Sequence, residues 1–331
     1  SVAFDAAFVA ECFGDCFAES ECGIFYGVVL VDVKVAAGVY FEVQTAVTSD
    51  LVEHVVEKSE SGVDVASSVT VEVESNFDVG HAADVTTLQS SRYARAIVVV
   101  DIDESRHTST RLRYEKDVYA TPQIIVYVET PSADSIAADH ERIGRSLCSL
   151  LGRFETNVAL RHLRKSHSPA REKDVEKAVG CRILIPSDIT KTKRGNRFIW
   201  LSDDGSKSMR NLCVYSVPGT DVSAGRLIAL RDSVMHANIK GETDSMYMAT
   251  ERRIAPTVKT LRVGGRTIVE MRGLWQMEGD IMGGPFVSHT IVDTLRGVTL
   301  TAEAFVYAPG EQKRNIIKRL EAALYTLSLE R

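Results

Sequence analysis

The chain is expected to adopt an α+β fold, with antiparallel or mixed sheets and helices packed on one face. Three observations predict this. Apolar strands recur before a Pro turn and an amphipathic helix, at Gln123–Val128 with Pro131, Asn211–Val217 with Pro218, and Thr299–Tyr307 with Pro309. Proline cannot continue the strand, so the following helix folds back over the sheet. A meander of alternating strands separates the second unit from the third, and Gly264-Gly265 between two such runs is a hairpin signal. In Val298–Tyr307 the residues Val298, Leu300, Ala302, Ala304 and Val306 alternate with Thr299, Thr301, Glu303, Phe305 and Tyr307, the period of a strand with two distinct faces.

Taken in order, residues 27–35, 39–47 and 68–74 alternate like strands, and 49–60 reads as a short helix. Ala96–Ile102 is a continuous apolar run, as in a central strand. After Pro131, Ile136, His140, Ile143, Leu147 and Leu151 form a helical stripe, and more helix is expected over 155–165 and 170–179. Gly180 then stops the chain as a left-handed cap. Strands follow at 182–185, 197–202 and 211–217, a helix at 223–238, strands at 258–263, 266–277, 285–293 and 298–307, and a closing helix at 311–327. Residues 88–240 are read as one α+β unit and 241–331 as an antiparallel sheet with its covering helix.

Charge is unevenly spread. Residues 1–91 carry a net −14, with Lys34 and Lys58 their sole basic side chains, whereas 92–331 carry +8. The acidic segment is rich in Val, Ala and Phe, unlike a disordered tail. No apolar run is long enough for a membrane-spanning helix. The first residues lack a basic start, so no signal peptide is read there. Six cysteines show no metal-ligand spacing, and Cys148, Cys181 and Cys213 sit in apolar patterns as small core residues. The basic residues between Arg153 and Arg197 lack interleaved aromatics, which argues against nucleic acid and for a solvated face.

Two sets of residues are candidates for chemistry. The first is the run Gly279–His289 with Trp275, in which Asp280, Gly283, Gly284, Ser288 and His289 form a candidate functional surface. A histidine with Asp280 and Glu278 nearby is a candidate base or metal ligand, although no nucleophile or zinc motif accompanies it. Gly283-Gly284-Pro285 is expected to make a tight turn into a strand. The second is Asp101 and Asp103 at a strand end, with Thr130, Asp203 and Asp204 as companions, the acid pattern of a metal-dependent phosphatase. Glu104-Ser105 departs from that pattern. No cofactor is expected.

The residues Asp280–His289, Glu303-Ala304-Phe305-Val306-Tyr307-Ala308-Pro309, Lys313-Arg314-Asn315 and Leu320–Leu327 resemble the C-terminus of the domain-of-unknown-function 4837 family, envelope lipoproteins of Bacteroidetes. Upstream, Arg272–Trp275, Tyr247–Glu251, Arg231–Met235, Phe198-Ile199-Trp200, Ile185-Pro186 and Pro131–Ser135 extend the resemblance to about Leu88. Residues 1–87 do not share it and are read as diverged or translated out of frame. The family has no assigned catalytic residues. The resemblance implies a periplasm-facing envelope protein, most simply a non-enzymatic binding or assembly factor. Its partner would be an envelope protein or an anionic glycan or lipid, and its membrane association would come from a lipid anchor absent from this chain.

Overall fold

The computed structural model describes residues 27–33, 77–81, 91–205, 207–311 and 313–329. It divides into two compact units, Ser1–Glu155 and Thr156–Arg331. The α+β expectation holds in both.

In the first unit, β1 (Gly27–Val33), β2 (Phe77–His81), β3 (Ala96–Ile102), β4 (Arg111–Lys116) and β5 (Ile124–Thr130) form a mixed sheet in the order β2-β1-β3-β5-β4. All neighbours are parallel except β4 on β5. Strands β3 and β5 are buried almost throughout, which explains their unbroken apolar runs. The edge strand β4 was not expected, because Arg-Leu-Arg-Tyr-Glu-Lys shows no apolar face. It is held by charge: Arg111 lies directly across from Glu129, and both Arg111 Nε (2.7 Å) and Arg113 Nε (3.0 Å) donate to that carboxylate. The expected strands at 39–47 and 68–74 and the helix at 49–60 lie outside the described residues.

Strand β5 runs through Pro131 into α1 (Ala133–Lys165), a single helix where two were expected. Its apolar stripe is buried at Ile136, Ile143, Leu147 and Leu151.

The second unit contains α2 (Pro169–Val179), β6 (Cys181–Arg182), β7 (Lys191–Gly195), β8 (Phe198–Ser202), β9 (Met209–Pro218), α3 (Ala224–Asn238), β10 (Tyr247–Thr250), β11 (Thr257–Val263), β12 (Arg266–Glu278), β13 (Gly283–Asp293), β14 (Val298–Tyr307), α4 (Arg314–Leu324) and β15 (Ser328–Leu329). Ser168 caps α2 by accepting from Arg171 N, and Gly180 ends it at φ 72°, the left-handed value expected of this glycine. An eight-stranded antiparallel sheet follows the order β10-β12-β13-β14-β9-β8-β7, with β11 also paired to β12. Strands β7, β8 and β9 therefore share one sheet with β10 to β14. The boundary expected near residue 240 falls inside this unit, because β14 draws β9 to it across the α3 segment.

The β14 alternation is as read: Val298, Leu300, Ala302, Ala304 and Val306 join Val175, Ile317, Leu320 and Leu324 in one core, beneath α2 and α4. The opposite face is covered too. Leu227, Met235 and Ile239, from α3 and its C-terminal end, pack with Phe286, Phe305, Trp275 and Met271, so helices lie on both faces of the larger sheet rather than one. Cys148, Cys181 and Cys213 are buried, as expected of small core residues.

Candidate functional site

Each face of the larger sheet encloses a charged centre. Beneath α4, Glu270 of β12 lies directly across from His289 of β13, and the two meet at 3.1 Å through Nε2. Arg272, two residues along the same face, donates to Glu270 from Nε and Nη2 (both 2.9 Å) and also binds Glu321 of α4. Lys318 Nζ reaches Glu321 at 2.9 Å, and Tyr325 stacks edge-on against His289 at 4.7 Å. Burial alone raises a carboxyl. Here the His289 hydrogen bond and the Arg272 charge outweigh it and hold Glu270 well below the usual range. For Glu321, Lys318 and Arg272 overcome the same burial and lower its pKa to about 2.

Glu270, His289 and Glu321 are the one group of three or more ligand-type residues within mutual reach among the described residues. Their negative charge is already more than offset. Two carboxylates face Arg272, Lys318 and Lys259, the last at 3.4 Å from Glu270, so a further cation would enter a site that already holds an excess of positive charge. The centre clamps α4 to the sheet.

On the other face, Arg231 of α3 is fully buried against Glu303 of β14, with contacts of 2.8, 3.0 and 3.1 Å. Its guanidinium lies 3.9 Å over the Phe286 ring. Burial outweighs Arg231 and pushes the Glu303 carboxyl up. From this pair a polar chain leads outward. Arg231 Nη1 donates to Thr250 Oγ1 (2.9 Å), Thr250 donates to Asp232 (2.6 Å), and Asp232 accepts from Arg252 (2.7 Å).

The chain ends in a surface cleft of about 720 Å³. Asp232, Ser233 and His236 of α3 form one wall. Tyr247, Ala249 and Thr250 of β10, with Glu251, Arg252 and Arg253 after it, form the second. Gln276 and Glu278 of β12 close the third. His236 stacks edge-on with Tyr247 at 4.1 Å. Glu251 is kept low by its hydrogen bonds from Arg253, and its own backbone N–H is tied to Leu274 O. Acidic and basic groups of fixed orientation thus stand around a common space.

The expected site residues are distributed differently. Asp280 sits in the exposed β12–β13 turn, with Gly279 at φ 82°. It and Glu278 are at the far end of the hairpin from His289: six strand positions separate Gly283 from His289, about 20 Å. His289 has Glu270 as its partner instead. Ser288 and His289 are adjacent on a strand and so point to opposite faces, which excludes a relay between them. Gly283, Gly284 and Pro285 lie within β13 rather than in the tight turn expected of them, which falls just before, from Gly279. A Cβ on Gly284 would lie 2.2 Å from Val306 O, where the buried Trp275 indole donates at 3.2 Å. These residues are packing devices. Glu278 alone of this set lines the cleft.

The acidic alternative is likewise consumed. Asp101 is bound by Arg106 (2.6 Å) and His107 (3.0 Å). Hydrogen bonds from Ser105 and Arg106 lower the Asp103 carboxyl to about 2. Thr130 bonds to Thr110, Asp203 is held by Arg210, and Asp204 lies near Lys191. None of these acids joins a metal-ligand group among the described residues. The phosphatase arrangement is not assembled within either pair.

Residues 168–326 match the model of a domain of unknown function, DUF4837, and residues 51–164 match a second, DUF8532. The resemblance read from about Leu88 is therefore narrower than expected. The motif around Pro131 belongs to the second match, which reaches back to residue 51. A crystal structure from Bacteroides thetaiotaomicron VPI-5482 is similar at 16% identity and a TM-score of 0.25, over 46% of this chain and 45% of that one. The matched region thus spans less than half of that relative. No curated protein matches. Residues 168–326 thus match the model of DUF4837, the family that the C-terminal motifs resemble.

Proposed function

We propose that this is a non-enzymatic binding or assembly protein of the cell envelope, and that the Asp232–Arg252–Glu278 cleft receives its partner. The observation that supports this is the cleft itself. It is open, and its walls carry both signs of charge, each oriented by a partner behind it. Fixed, paired charges suit recognition of a polar partner, where register and orientation are set by complementary groups. A proton-transfer site needs a poised, accessible base. His289 is instead buried and bound to Glu270, and the cleft's own histidine, His236, is engaged edge-on by Tyr247.

The test compares proteins co-purified from native membranes with the wild-type chain and with Arg252→Glu and Glu278→Arg variants. The reading expects a partner that is retained by wild type and lost with either variant. Identical captures from all three would remove the cleft from consideration.

A further inference from the structure

The other end of the larger sheet carries an independent signal. The register brings four connections to that end: the β7–β8 turn with Arg197, the β9–α3 corner at Pro218, the β11–β12 turn after Arg262, and the β13–β14 turn with Leu295 and Arg296. Direct bonds confirm the juxtaposition. Ser216 N donates to Arg197 O (3.0 Å), and Gly219 N donates to Gly297 O (2.8 Å). Arg296 Nη1 donates to Gly180 O (3.0 Å), which brings the end of α2 and its Lys177 to the same place.

Leu295 is 98% exposed at the tip of its turn. The turn is built to present it. Asp293 Oδ1 accepts from the backbone N–H of both Leu295 and Arg296 at 3.0 Å, and Gly297 takes φ 64°. Arg197, Arg262, Arg296 and Lys177 are all exposed around it. The acids at this end are Asp293, paired with Arg296, Asp221, which accepts from Ser223 N, and Glu176, beside Lys177 and 3.8 Å from Arg182.

We propose that this end of the sheet docks onto an anionic lipid surface, with Leu295 entering the headgroup region and the ring of cations contacting lipid phosphates. Leu295 projects almost fully exposed from the tip of its turn, so it suits a deformable bilayer rather than a rigid protein pocket. A lone aliphatic side chain contributes little by itself, and the surrounding cations supply the attraction. The cleft lies at the opposite end of the sheet, beside Glu278 and Tyr247. A protein docked in this way would present its cleft away from the membrane. The inference does not depend on what the cleft binds.

The test is sedimentation of the full chain with vesicles of phosphatidylcholine alone or mixed with phosphatidylglycerol. Binding is expected to the mixed vesicles only and to fall as salt rises. Leu295→Glu and Arg262→Glu should each weaken it by about fivefold or more. Both positions are exposed, so unchanged melting curves serve as the folding control. The proposal is overturned by equal sedimentation with both vesicle types, by no sedimentation with either, or by variants that bind like wild type. Retention on a soluble sulfated polymer that is insensitive to Leu295→Glu, without vesicle binding, would assign the cations to a polyanion instead and overturn it as well.

Discussion

Replacing Arg231 with Met should be among the most damaging single changes in the larger unit. The side chain is fully buried, as is its partner Glu303. The substitution leaves a carboxylate in the core without its counter-charge and removes the donor to Thr250. Breaking one member of a buried pair costs about 3–5 kcal/mol. For a unit of this size each kcal/mol moves the melting temperature by about 2–4 °C, so a drop of roughly 6–20 °C is expected. The two tryptophans of the chain, Trp200 and Trp275, both lie in this unit, so their fluorescence reports its unfolding in urea and on heating. The double variant Arg231→Met with Glu303→Leu is expected to recover most of the loss, because it removes both desolvated charges and keeps the volume. A single variant within about 1 kcal/mol of wild type, or a double variant no better than the single, would refute the reasoning.

Further outcomes follow from the same geometry. The Glu321 carboxyl is lowered from 4.5 to about 2, so its contribution is present above the unfolded value and is lost as pH falls toward 2. That contribution is on the order of 3 kcal/mol. Acid titration of Glu321→Gln should show a flatter loss of stability below pH ~4.5 than wild type. Gly284→Ala places a methyl against Val306 O and should cost about 1–3 kcal/mol with a changed Trp275 emission. Leu295→Glu should leave stability within about 0.5 kcal/mol, as measured by urea melts, because nothing packs on the side chain.

Much of the fold was legible because it is written in local periodicity. The Pro-punctuated strand–helix units, the Gly264-Gly265 hairpin and the two faces of β14 are all short-range patterns. Strands β4 and β7 were missed for the converse reason. They are charged edges held by pairing, and Lys191–Gly195 has no buried residue to show a period. The site was less legible. Glu270 meets His289 across strands, and Arg231 meets Glu303 over 72 residues, so neither pair is visible in spacing. A signal was nevertheless present. Glu303 occupies an inward position of β14, and Arg231 lies midway between Leu227 and Met235 on the buried stripe of α3. Opposite charges at two interior positions call for each other. The glycine-rich run misled because Gly283 and Gly284 are strand residues that serve close packing around Trp275 rather than a tight turn.

The central claim, that the cleft beside α3 receives a partner, is tested most directly by photocrosslinking in native cells. A photoreactive residue in place of Ser233, exposed within the cleft, should give a discrete adduct, whereas the same residue at exposed Thr260 on β11 should not. A discrete adduct from position 260 with none from 233 would contradict the account.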